Sequence, residues 1–164
     1  MKIKVVASEG RGQTPLSAFD NALKNAGVMN YNLLILSSVI PPKTEIVVNG
    51  AFESPKEEWG HKLYVVKAEI RSRETGKYIG AGLGWYQLED GRGVFVEHET
   101  DDKTYEAAES NLKASIKQSI EDLCTNRHLP FDEAKVGMRL SIAEVKNHPT
   151  CALVLAVYQS EGWR

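Results

Sequence analysis

Cysteine is scarce: Cys124 and Cys151 are the only two among 164 residues. They lie too far apart for the paired spacing of a zinc site or a disulfide framework, so two buried free thiols are expected. An excess of one charge is missing as well. Lysine and arginine total 20 against 22 acidic residues, for a net charge of -2. The two signs are interspersed, leaving no basic patch for nucleic acid and no polybasic stretch for a membrane surface. No apolar run approaches the roughly 20 residues that cross a bilayer, and the stretch from Met1 to Ala7 is too short for a signal peptide. A cytoplasmic protein with neither a nucleic-acid nor a membrane partner is expected, which leaves small molecules and copies of itself. The four histidines, His61, His98, His128 and His148, lack metal-ligand spacing, so no metal is expected. Glycine is concentrated at Gly80-Ala81-Gly82-Leu83-Gly84, inside a strand-like run with no following helix to make a phosphate loop. Close packing in a sheet explains it better. Internal repeats and low-complexity segments are lacking too.

What is present is enough for one domain with a real core, since 42% of the residues are hydrophobic. Alternation and β-branched residues over 2–7 read as a first strand, followed by a loop over 8–13. A helix follows with strong punctuation. Thr14 suits the N-cap and Pro15 the first helical position. Leu16, Phe19, Leu23 and Ala26 recur at helical spacing, and Gly27 suits the left-handed position after the end. A short apolar strand over 31–36 runs into Ser37-Ser38-Val39-Ile40-Pro41-Pro42, where the prolines stop it. Residues 62–73 and 78–89 read as strands joined by a hairpin turn at Glu74-Thr75-Gly76-Lys77. A third strand over 93–99 follows the turn Asp90-Gly91-Arg92. Asp102 or Thr104 starts a long helix over about 105–124, striped by Ala108, Leu112, Ile116, Ile120 and Leu123. Two last strands, about 135–146 and 150–159, turn at Asn147-His148-Pro149. Strands outnumber helices and look hairpin-linked, which predicts a layered α+β sandwich with antiparallel or mixed sheets. Residues 47–59 form a surface excursion or binding loop.

Serine pairs usually cap or solvate a turn, and taken alone Ser37-Ser38 is no exception. Its context differs. A buried strand delivers two hydroxyls to an abrupt Pro-Pro stop, where backbone strain can be held. There Ser38 Oγ can attack the Ser37 carbonyl and turn the peptide into an ester. Elimination leaves dehydroalanine at position 38, which hydrolyses to a pyruvoyl group with loss of ammonia. In Val94-Phe95-Val96-Glu97 a carboxyl ends an apolar run, where burial can raise its pKa toward that of a proton donor. Glu97 is therefore the expected general acid, with Glu99 on the same strand face as its rival.

Glu9-Gly10, then Thr14-Pro15-Leu16-Ser17-Ala18-Phe19-Asp20-Asn21-Ala22-Leu23 and Asn25-Ala26-Gly27, resembles the pyruvoyl-dependent arginine decarboxylase family. The likeness continues through Asn30-Tyr31-Asn32-Leu33 to Ser37-Ser38-Val39-Ile40-Pro41-Pro42. Beyond this first quarter it rests on the Glu97 segment and the order of elements. The resemblance implies a four-layer αββα sandwich, a homotrimer or a dimer of trimers, and active sites between protomers. It implies a single domain over 1–164, cut into a β chain ending at Ser37 and an α chain beginning at Ser38. The pyruvoyl group made from Ser38 would form a Schiff base with the substrate and convert L-arginine to agmatine and CO₂. Asn32 matches the asparagine beside the processing site and the substrate. Asp20 matches the acid that grips the arginine guanidinium across the interface, a contact with bidentate geometry. Leu23 would pack against the alkyl chain. The loop over 8–13, with Arg11, is about one residue longer than in the family, and residues 49–61 do not match it. A decarboxylase of another amino acid, and a non-processing ligand-binding or regulatory oligomer, are the alternatives.

Overall fold

The computed structural model describes residues 1–164. Its elements in chain order are β1 (Lys2–Arg11), α1 (Pro15–Ala26), β2 (Asn32–Ile35), β3 (Val39–Ile40), β4 (Glu45–Val47), β5 (Lys62–Ser72), β6 (Tyr78–Gln87), β7 (Gly93–Asp102), α2 (Tyr105–Asn126), β8 (Gly137–Glu144) and β9 (Thr150–Glu161). They form a five-stranded sheet, ordered β2-β5-β9-β1-β4, and a four-stranded sheet, ordered β3-β7-β6-β8. The first is mixed, with β2 parallel to β5 and β4 parallel to β1. The second is antiparallel throughout. The α+β class expected from the sequence is observed.

Alternation along β9 shows how the core divides. Cys151, Leu153, Leu155 and Val157 join Ala18, Ala22, Leu23 and Ala26 of α1 in one apolar cluster. Ala152, Val154 and Ala156 point the other way, into a cluster with Ile79, Ala81, Leu83 and Phe95 of the second sheet. Both faces of β9 are covered, so it reads as one continuous apolar run. A third cluster joins Ile116, Ile120 and Cys124 of α2 to Tyr86, Val94 and Val96. Helix α2 lies close to its sheet because Gly80, Gly82 and Gly84 face it. A Cβ on Gly84 would stand 2.2 Å from Ile116 Cγ2.

Local signals place the helices well. Thr14 caps α1 by accepting from Ser17 N–H, and Gly27 ends it at φ 88°. Thr104, rather than Asp102, caps α2, accepting from Ala107 N–H. Both cysteines are free and buried. Burial pushes the Cys151 thiol up to about 12.

Three expectations are corrected. Strand β1 does not end at Ala7 but runs to Arg11, because β9 continues the ladder through Gly10↔Cys151 and Arg11↔Thr150. Gly10 allows this, since a Cβ there would lie 2.4 Å from the Ala18 carbonyl of α1. The turns expected to close the β5–β6 and β8–β9 hairpins instead carry the chain from one sheet to the other. A five-residue connection spans the roughly 10 Å between stacked sheets as readily as it closes a hairpin, and alternation marks a strand without naming its partner. The two corners are tied together, Gly76 N–H donating to the Val145 carbonyl and Val145 N–H to Lys77, each at 2.8 Å. Of the three expected hairpins only β6–β7 is one.

Residues 48–60 are mostly irregular, with a single 3-10 turn over Lys56–Glu58. They are nonetheless anchored. Phe52 N–H donates to the Ala26 carbonyl at 2.9 Å, and its ring meets Tyr31 edge-on at 6.2 Å. Trp85 packs partly buried against the core between the sheets, while Trp59 and Trp163 are exposed.

Candidate active site

Ser37 and Ser38 occupy the passage from β2, an edge strand of the first sheet, to β3, an edge strand of the second. Hydrogen bonds fix the chain on both sides of the pair. Leu36 N–H donates to the Val65 carbonyl, and Phe95 N–H donates to the Ser38 carbonyl, each at 2.8 Å. Strand β3 then pairs with β7 through Val39↔Val94 and Ile40↔Gly93. To make this switch Ser38 adopts φ 70°. That left-handed conformation costs a non-glycine residue roughly 1–2 kcal/mol, so the surrounding bonds must hold it in place.

The turn aims Ser38 inward, where its hydroxyl donates to a carboxylate oxygen of Glu97. Glu97 stands half-buried on β7, two residues past Phe95 on the same face. Glu99 shares that face but is exposed, and its carboxylate lies 3.4 Å from the Glu69 amide nitrogen instead. Of the two rival acids, only Glu97 meets the serine.

The other expected site residues lie elsewhere in the chain. Asn32 opens β2, whose four residues span roughly 13 Å, at the end away from Ser37. Its Nδ2–H donates to the Gly60 carbonyl at 2.7 Å. Asp20 is exposed on α1, which covers the face of the first sheet turned away from the second. Leu23 sits in the cluster beneath that helix, 8% exposed. A single chain therefore brings together Ser37, Ser38 and Glu97, and leaves Asn32, Asp20 and Leu23 apart from them.

Tyr158 escapes any reading of the sequence. In Ala156-Val157-Tyr158-Gln159 it is one more residue at the polar end of an apolar strand, and its partner lies 119 positions away. Its hydroxyl donates to the Val39 carbonyl at 2.9 Å, and its ring lies 6.2 Å from that of Phe95. Burial first, and the charge of Glu97 second, hold its ionisation well above the usual phenol range.

A serine hydroxyl one peptide bond from its own target carbonyl, with a carboxylate to take its proton, is an activated nucleophile. No group of three or more His, Cys, Asp or Glu side chains is assembled to hold a metal.

Comparison with known proteins points the same way. The family model described as pyruvoyl-dependent arginine decarboxylase matches residues 2–162. The pyruvoyl-dependent arginine decarboxylase of Thermococcus sibiricus is 34% identical over 159 residues, covering 95% of this chain and 93% of that protein. The protein of the same name from Pyrococcus furiosus is 35% identical over 159 residues, with 95% and 93% covered. That of Methanocaldococcus jannaschii is 53% identical over 81 residues, a stretch that is 49% of this chain and 46% of the relative. With the match running nearly end to end, and a serine pair held against a glutamate where the chain changes sheets, this chain belongs to the pyruvoyl-dependent arginine decarboxylase family.

Proposed function

We propose that this chain cleaves itself between Ser37 and Ser38, leaves a pyruvoyl group at position 38, and decarboxylates L-arginine to agmatine and CO₂. The observation that carries this reading is Ser38, held at φ 70° with its hydroxyl on the Glu97 carboxylate. Glu97 accepts the proton as Ser38 Oγ bonds to the Ser37 carbonyl carbon. The C–N bond breaks as Glu97 passes that proton to the departing amine. Loss of the Ser38 Cα proton then expels the Ser37 carboxylate, and water replaces the nitrogen, which departs as ammonia. The pyruvoyl carbonyl supplies an electron sink for the charge left when CO₂ departs. In each turnover Glu97, protonated from solvent on a carboxyl oxygen, donates a proton to the substrate α-carbon.

The assembly belongs to the same proposal. Helix, sheet, sheet and helix stack as the four-layer αββα sandwich of the family, and three copies assemble, alone or as a dimer of trimers. Edge strands β2 and β3 support this. They expose Leu34, Ile35 and Val39 beside the serine pair, an apolar strip that a second copy covers. Asp20 of a neighbouring protomer then receives the guanidinium in a bidentate pair, Leu23 lines the alkyl chain, and Asn32 borders the site.

The deciding experiment is Ser38→Ala. The unaltered chain should appear on a denaturing gel as two fragments, residues 1–37 and 38–164, and release CO₂ from arginine. The variant should stay a single 18.2 kDa species and release none. Cleavage that survives the substitution would sink the mechanism.

A further inference from the structure

Strands β5 and β9 pair without interruption except at one place. Val65 lies opposite Val157 and Tyr64 opposite Gln159, which leaves Tyr158 as an extra, unpaired residue. Even spacing from Ala152, Val154 and Ala156 puts Tyr158 on the face of β9 turned toward the second sheet, and the bulge falls at this residue. Here the tyrosine reaches across the space between the sheets, its ring against Phe95 and its hydroxyl on the Val39 carbonyl.

That carbonyl belongs to the residue just after Ser38, and the carbonyl before it, that of Ser38, is held by Phe95 N–H. Two successive carbonyls are thus gripped from opposite elements, one by β7 and one by β9. Fixing both limits the rotation that would let Ser38 relax from φ 70° toward an ordinary strand conformation. In a relaxed Ser38 the hydroxyl would swing away from Glu97 and from the Ser37 carbonyl. Val39 itself is 57% exposed, and its side chain packs too little to do this work. Since burial and the neighbouring Glu97 keep the phenol protonated, its O–H remains a donor throughout the neutral range.

We infer that Tyr158 is a positioning residue for self-cleavage: its hydroxyl, carried by the inward face of β9, locks the Val39 carbonyl and so holds Ser38 in the attacking conformation. The role rests on the pyruvoyl reading above and adds a residue to it. It acts on the first step, ester formation, and on no later one.

The test is Tyr158→Phe, which keeps the ring against Phe95 and removes only the donor. Loss of one hydrogen bond at the reacting turn should slow appearance of the two fragments by about five- to tenfold. Neutral hydroxylamine cleaves an ester but not a peptide, so it reports the first step separately. Trapping at position 38 should slow by the same factor. Stability is compared between Ser38→Ala and the double variant Ser38→Ala/Tyr158→Phe, both uncut, where the melting midpoint should fall by no more than about 4 °C. Trapping at the unaltered rate overturns the positioning role, whether or not later steps are slow. So does a double variant that fails to fold, since Tyr158 would then act through stability alone. Cleavage persisting in Ser38→Ala, or absent from the unaltered chain, overturns the pyruvoyl reading together with this one.

Discussion

At the scale of single residues, the site depends on one backbone angle and one carboxylate. Ser38 at φ 70° is a strained conformation, and strain in a reactive segment persists only where neighbours over-determine it. Its hydroxyl distinguishes two acids that alternation alone leaves equivalent, because it meets Glu97 while Glu99 lies against Glu69. Glu97→Gln should therefore lower CO₂ release by processed enzyme about 10²–10⁴-fold, the usual size of a general-acid contribution, and should slow cleavage as well. Glu99→Gln should leave both near the unaltered rate. Release of ¹⁴CO₂ from labelled arginine, with a gel time course for cleavage, checks the pair of variants. Equal losses in the two would refute the assignment.

At the scale of elements, the strands are positioned by what covers them. The Gly80, Gly82 and Gly84 stripe gives α2 its close seat on the second sheet, and Gly84 is the tightest point. Gly84→Ala places a methyl group where Ile116 already packs, in a core with little room to yield. Overpacking of this kind destabilises by about 1–3 kcal/mol, and each kcal/mol lowers the melting midpoint of a chain this long by about 2–4 °C. Calorimetry on the Ser38→Ala background measures it without interference from cleavage. An unchanged midpoint would mean that α2 moves freely on its sheet.

At the scale of the whole molecule, the residues proposed for catalysis and for substrate binding lie on different faces of one chain. Ser38 and Glu97 sit where the chain passes between sheets, and Asp20 stands on α1, outside the first sheet. The shared site proposed above reconciles them, and it makes a prediction that no single chain can meet. Ser38→Ala and Asp20→Ala should each be inactive toward arginine when expressed alone. Expressed together they should form mixed oligomers that regain part of the activity, because one subunit supplies the pyruvoyl group and its neighbour the carboxylate. No recovery in co-purified mixed oligomers would place both functions in one protomer.

Local chemistry made much of this protein legible from its sequence. Thr14, Pro15 and Gly27 punctuate α1 with their own side chains and backbones, and they act over one turn. The core stripe of α2 follows from spacing alone, and the dense run from Thr14 to Pro42 carries the family and the serine pair. Strand partnership was not legible. The connections after β5 and β8 look like hairpins because a period of two shows that a residue faces a core without saying which core, and only the stacking of two sheets turned those connections into crossings. The extension of β1 to Arg11 likewise depended on β9, some 140 residues away in the chain. Tertiary structure alone set the Ser38 hydroxyl against Glu97, gave Ser38 its left-handed turn and brought Tyr158 to Val39. Each of these joins groups far apart in sequence, and no local pattern records such a contact until the sheets close on one another.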